Sequence, residues 1–220
     1  MWLNNPVIAN ELWPAFCETL FMTLLSALFS VLLGLPLGIL LWRTAKNSLS
    51  PNPILYRILS TIVDIGRSIP FIILMIALIP FTRFMVGTAL GWYATVVPLT
   101  VGAIPFYARL VEAALREVST GKIEAVTMMG ASRGQIIRQV MIPEALPGLV
   151  SAATVTTVTL VGYTAMAGAA GGGGVGALAI SYGYQRYQGD TMLVCIVVLV
   201  ALVGVLQFVG DRIAHAVDHR

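Results

Sequence analysis

Apolar stretches at residues 15–42, 56–81, 88–110, 146–166 and 191–213 are each long enough to cross about 30 Å of hydrocarbon as a helix. A chain built this way has lipid as its solvent, and lipid satisfies no backbone donor or acceptor, so every span must be helical. The composition agrees: 58% of residues are hydrophobic and only 10% are charged, with a mean hydropathy of +0.88. The expected fold is therefore all-α and polytopic, with five transmembrane helices in one domain covering residues 1–220. Residues 145–185 carry no charge but are interrupted by Gly168, Gly171, Gly172, Gly173, Gly174 and Gly176, which leaves room for one span followed by an irregular segment at the outer face.

Basic residues set the orientation. Arg43, Lys46, Arg57, Arg109, Arg116, Lys122, Arg133, Arg138, Arg212 and Arg220 fall on one side of this layout, and only Arg83 and Arg186 on the other. The crowded side is expected to be cytoplasmic, with the N-terminus outside and the C-terminus inside. Residues 1–14 lack Lys and Arg, so the first apolar run is not expected to be a cleaved leader. The net charge of +3 follows from this asymmetry and calls for no nucleic-acid partner.

Catalytic and metal chemistry find little footing. Cys17 and Cys195 lie inside apolar runs, and His215 and His219 sit in a charged tail, without metal-site spacing. There is no nucleophile elbow and no His-Glu-x-x-His pattern. Ser119, Thr120, Gly121 and Lys122 imitate the end of a phosphate loop, but Arg116 stands where the leading Gly belongs and Ile123 where the Mg-binding Ser or Thr belongs. The chain is thus expected to be non-catalytic, to hold no metal and to bind no cofactor itself.

The polar segment between the third and fourth spans, residues 119–145, is unlike its surroundings. Glu124 and Ala125 are followed by Gly130 and, after nine intervening residues, by Val140, Ile142 and Pro143. This order resembles the Glu-Ala-Ala-x3-Gly-x9-Ile-x-Leu-Pro signature of permease subunits of ATP-binding-cassette importers, with Val126, Val140 and Ile142 as apolar replacements. The resemblance implies a cytoplasmic coupling helix that docks on a separate ATPase, with Glu124, Ala125, Gly130, Ala131, Arg133 and Pro143 as its residues. Physically, Ser119 or Thr120 can cap such a helix, Glu124 suits its positive end, Gly130 permits a turn, and small Ala125 and Ala131 permit close approach.

Further blocks at residues 67–71, 79–83, 97–102, 143–149 and 210–212 resemble the methionine-importer permeases of that family. The resemblance implies a type I importer permease acting as a homodimer, for methionine of either hand or a close relative. Two ATPase subunits that bind ATP and Mg, and an extracytoplasmic methionine-binding protein, are the implied partners.

Pro36, Pro70, Pro80, Pro98 and Pro105 lie in or at the ends of the expected spans, where each removes a helix hydrogen bond. Of these, Pro70 and Pro105, with Tyr163 and Met166 late in the fourth span, are candidate pathway residues, although Met and Tyr are also ordinary packing residues. Asp64 and Arg67 are three apart and share a helix face, placed either to pair or to meet another subunit. Apart from Glu18 the remaining spans have uncharged centres, which disfavours the alternative of an autonomous secondary transporter or channel. A mere anchor would leave the prolines without a role.

Overall fold

The structure, a computed structural model, describes residues 5–46 and 48–218, and all regular structure among them is helical. Asn5 starts α1 (Pro6–Thr44) by accepting a hydrogen bond from the Val7 amide at 3.0 Å, with Pro6 at the first helical position. Asn52 and Pro53 repeat the device for α2 (Pro53–Ser68). Then come α3 (Phe71–Ala77), α4 (Ile79–Val86), α5 (Trp92–Arg116) and α6 (Thr120–Met128). A single turn, α7 (Arg133–Gln135), passes through a π-helical stretch into α8 (Ile142–Gly168). The short α9 (Gly174–Leu178) and the long α10 (Gly189–Ala216) complete the chain. His219 and Arg220 lie outside the described residues.

Among the described residues, four helices are long and apolar enough to cross a membrane: α1, α5, the continuous run Arg133–Gly168 and α10. A fifth crossing exists if α2 and α3 count as one, but these two meet at 101°. The expected second span, 56–81, is therefore sharply broken. The cause is local: Pro70 forces the preceding Ile69 into extended backbone, at φ −77° and ψ 123°, which ends α2. The fourth span also differs from expectation, because its helix begins at Arg133, inside the polar segment, rather than at residue 146.

Small residues hold the bundle together, as they must where lipid offers no hydrophobic drive between helices. Along α1, Thr19, Thr23, Ser26, Ser30, Gly34 and Gly38 are buried. Ser26 and Ser30 donate to the Val96 and Thr100 carbonyls of α5, each at 3.4 Å. A Cβ on Gly38 would stand 2.5 Å from Val111 Cβ, so the two helices touch almost backbone to backbone. Gly210 brings α10 against Thr154 of α8 in the same way. In the best span window 56% of α5 is buried against 11% of α10, which makes α5 the centre and α10 the periphery.

The glycine-rich stretch corrects the sequence reading. Instead of continuing as irregular chain, residues 174–184 form α9 and a π-helical turn, wedged between α1 and α8. Gly168 and Gly176 make the fit possible, since a Cβ on either would collide with backbone of the other strand of the wedge. Glu18 and Thr19 of α1 fasten its start: the carboxylate accepts from the Gly174 amide at 2.7 Å, and the Thr19 hydroxyl from the Val175 amide at 2.9 Å. The Glu18 carboxylate thus satisfies a backbone donor of the wedge.

Candidate functional site

The polar segment folds as a helical hairpin. Within α6, Ile123 and Val126 turn inward onto the cluster around Ile136, Met141 and Leu115. Glu124, Ala125, Met128 and Met129 face outward, the two methionines 89% and 85% exposed. Ser119 holds the N-cap position, but its hydroxyl makes no capping bond. The working cap lies at the other arm, where Ser132 and Gln135 form a reciprocal capping box: the Ser132 amide donates to Gln135 Oε1 at 2.8 Å and the Gln135 amide to Ser132 Oγ at 3.4 Å. Between the arms Gly130 has φ +81°, a left-handed conformation that a side chain would strain.

Two polar ties fix this hairpin to the membrane helices. Lys122 pairs with Glu144 of α8 at 2.5 Å, and Arg133 donates to Ser50 in the α1–α2 connection at 2.5 Å. Gly130, Arg133 and Pro143 are exposed, as are Glu124 and Ala125, and Ala131 is half-buried. Pro143 stands two residues after the π-helical stretch Ile136–Met141, which closes as the Ile142 amide reaches back to the Ile137 carbonyl.

Sequence reasoning missed a charged cluster that joins α2 to α5. Glu112 is only 1% exposed, and its carboxylate receives Arg109 at 2.6 Å, Arg116 at 2.5 Å and the Tyr56 hydroxyl at 3.1 Å. Arg109 also donates to Asp64 at 2.6 Å and to Ser60 at 2.7 Å. A carboxylate removed from water is tolerable because charge and hydrogen bonds surround it. The signal was present: Arg109, Glu112 and Arg116 recur at helical spacing on one face. It escaped because the third span was ended at residue 110. Asp64 accordingly belongs to Arg109, and the expected Asp64–Arg67 pair is loose at 3.9 Å.

Above this cluster, at the break between α2 and α3, lies a cavity of about 210 Å³. Its walls come from α2 (Gly66, Arg67), α3 (Phe71, Leu74), α5 (Gly102, Phe106) and α8 (Tyr163). Phe71 and Tyr163 stack face to face, with ring centroids 4.6 Å apart and planes within 2°. Among the four pathway candidates, Tyr163 lines the cavity. Pro70 makes the break beside it and Pro105 packs under Gly66, where an added Cβ would be 3.1 Å from the proline ring. Met166 is 51% exposed and lies outside the cavity.

Membrane-length helices, a proline-broken pair lining a cavity, and a docked polar hairpin define a polytopic helical membrane subunit of the transport-permease kind. The comparisons narrow this. Residues 34–220 match the family described as binding-protein-dependent transport system inner membrane component, and the chain belongs to that family. It is 52% identical to the D-methionine transport system permease protein MetI of Escherichia coli K12, over 100% of this chain and 98% of the relative. It is 49% identical to the probable D-methionine transport system permease protein MetI of Vibrio cholerae serotype O1, over 99% and 95%.

Among solved structures, it is similar to a chain of the MetNI methionine ABC transporter in an inward-facing conformation, with TM-score 0.95, 52% identity and coverage of 98% and 100%. An amino acid ABC transporter, at TM-score 0.69 and 18% identity, shares the fold. Members of this family are transmembrane components of importers and leave catalysis to an ATPase partner.

Proposed function

We propose that this chain is the membrane subunit of an ATP-driven importer of methionine or a closely similar amino acid. The observation that carries this reading is its similarity, along its whole length, to curated D-methionine permeases. Two copies enclose the pathway, since a single bundle of four or five spans surrounds little. Two ATPase subunits, which bind the ATP and Mg, seat against the hairpin surface formed by Glu124, Ala125, Gly130, Ala131, Arg133 and Pro143. An extracytoplasmic methionine-binding protein delivers the substrate.

The physical case for docking rests on exposure. Met128, Met129 and Ala125 present an apolar tip on an otherwise polar projection, the type of surface that marks a partner site. Movement of that tip reaches the membrane through Val118, Ile123 and Ile136, which pack in one cluster with α5 and α8. The positive residues gather on the hairpin side, so the hairpin and C-terminus face the cytoplasm and the N-terminus faces outward.

The test is uptake of radiolabelled methionine into proteoliposomes holding this chain with its ATPase, with loaded binding protein outside. ATP-dependent uptake competed by unlabelled methionine is the expected result. Uptake that proceeds without ATP overturns the importer reading; substrate-stimulated hydrolysis without methionine uptake overturns the substrate.

A further inference from the structure

We infer that the cavity at the α2–α3 break is a transit site for an α-amino acid, with Arg67 holding its carboxylate and the Phe71–Tyr163 pair its apolar side chain. This deepens the proposed importer reading and rests on it. Arg67 is the fifteenth residue of α2, so its Cα lies roughly 20 Å along the helix from the end where the basic residues gather. A cation at such depth is expensive unless it serves a pathway.

Its charge is only loosely paired. Among the described residues its carboxylate partner is Asp64 at 3.9 Å, an ion pair beyond hydrogen-bond reach, and that carboxylate is held more closely by Arg109 at 2.6 Å and Ser60 at 3.2 Å. No hydrogen bond to Arg67 is formed among the described residues, while the side chain lines the cavity. A planar guanidinium with free donors is shaped for bidentate capture of a carboxylate.

The rest of the lining sorts by the side chain it would accept. Phe71, Phe106, Tyr163 and Leu74 form aromatic and aliphatic walls, which favour a thioether through sulfur–aromatic contact. No acidic side chain lines the cavity to receive a basic substrate. A volume of about 210 Å³ is of the size of one amino acid. Placement at a broken helix pair follows the general logic by which transporters expose polar contacts within the membrane.

The experiment uses the complex of this chain with its ATPase in proteoliposomes, carrying Ile69→Cys at the exposed edge of the cavity as a reporter, with the parent complex as background for Cys17 and Cys195. Methionine is expected to slow modification of the reporter thiol by a small polar reagent at least about tenfold, as loss of a charge-assisted bidentate contact is worth that much or more. Methioninol, which lacks the carboxylate, is expected to give no protection. Adding Arg67→Ala abolishes protection, and Arg67→Lys, which keeps a cation, retains part of it.

Equal protection by methioninol, or undiminished protection in Arg67→Ala, overturns the assignment. So does absence of protection in a complex that imports methionine. A complex with no methionine uptake at all overturns the importer reading instead, and the two failures are told apart by the uptake control.

Discussion

Individual positions in this bundle differ sharply in what they tolerate. Glu112 is the most constrained charge, because removing its carboxylate leaves Arg109 and Arg116 facing each other around a buried void. Glu112→Ala is expected to lower stability by about 3 kcal/mol, the lower end for breaking a buried ion pair because Arg116 is half exposed. Tyr56→Phe, which removes a neutral hydroxyl that donates to Glu112 and accepts from Arg116, should cost about 1 kcal/mol. Thermal unfolding of the purified complex measures both, and equal effects would show the carboxylate to be dispensable. Nothing in hydropathy announced this cluster. Charges near span ends look like boundary markers; helical spacing joins Arg109, Glu112 and Arg116 within α5, and only the packing of α2 on α5 adds Tyr56, Ser60 and Asp64.

Among the elements, the hairpin of α6, α7 and the start of α8 makes the clearest demands. Gly130→Val puts a β-branched side chain at φ +81°, a strain of roughly 1–2 kcal/mol, and distorts the tip that carries Met128 and Met129. It is expected to weaken ATPase association, read by co-purification, while membrane insertion is unchanged. Glu124→Arg reverses the charge at an exposed position that has no ion pair among the described residues, and is expected to act on docking alone; normal coupled uptake in both variants would refute a docking role. The hairpin was legible because its polar residues interrupt apolar runs in a recognisable order. Its internal cap was misplaced, since Ser119 and Ser132 look alike in sequence and only geometry shows which hydroxyl meets an amide. The α2–α3 break was legible as a kink but not as a near-right angle, because one proline fixes its neighbour's backbone and leaves the later direction to packing. The glycine run itself is irregular, as read from sequence, with Gly171 and Gly173 at positive φ; the helix that follows it was missed, because its small, weak helix formers become helical when neighbours press close on both sides.

For the whole molecule, orientation is the property most directly open to test. The hairpin and the α9–α10 connection lie at opposite ends of the basic-residue asymmetry, and each offers an exposed reporter, Met129 at 85% and Tyr187 at 91%. Met129→Cys is expected to react with a membrane-impermeant thiol reagent only in inside-out vesicles, and Tyr187→Cys only in right-side-out ones; the reverse pattern would invert the topology. The closeness of the helices has a further consequence, for how such a chain can change over generations. Where α1, α5, α8, α9 and α10 meet through Gly38, Gly168, Gly176 and Gly210, no residue is smaller than the one already there, so every substitution adds volume against backbone or a fixed side chain. In a saturation mutagenesis screen these seams would stand out as a narrow band of near-total intolerance. The exposed isoleucines of α2, at positions 54, 58, 62 and 65, lie away from these seams and would accept far more apolar exchanges. Sequence drift in this bundle is thereby steered away from the seams and toward its outer faces.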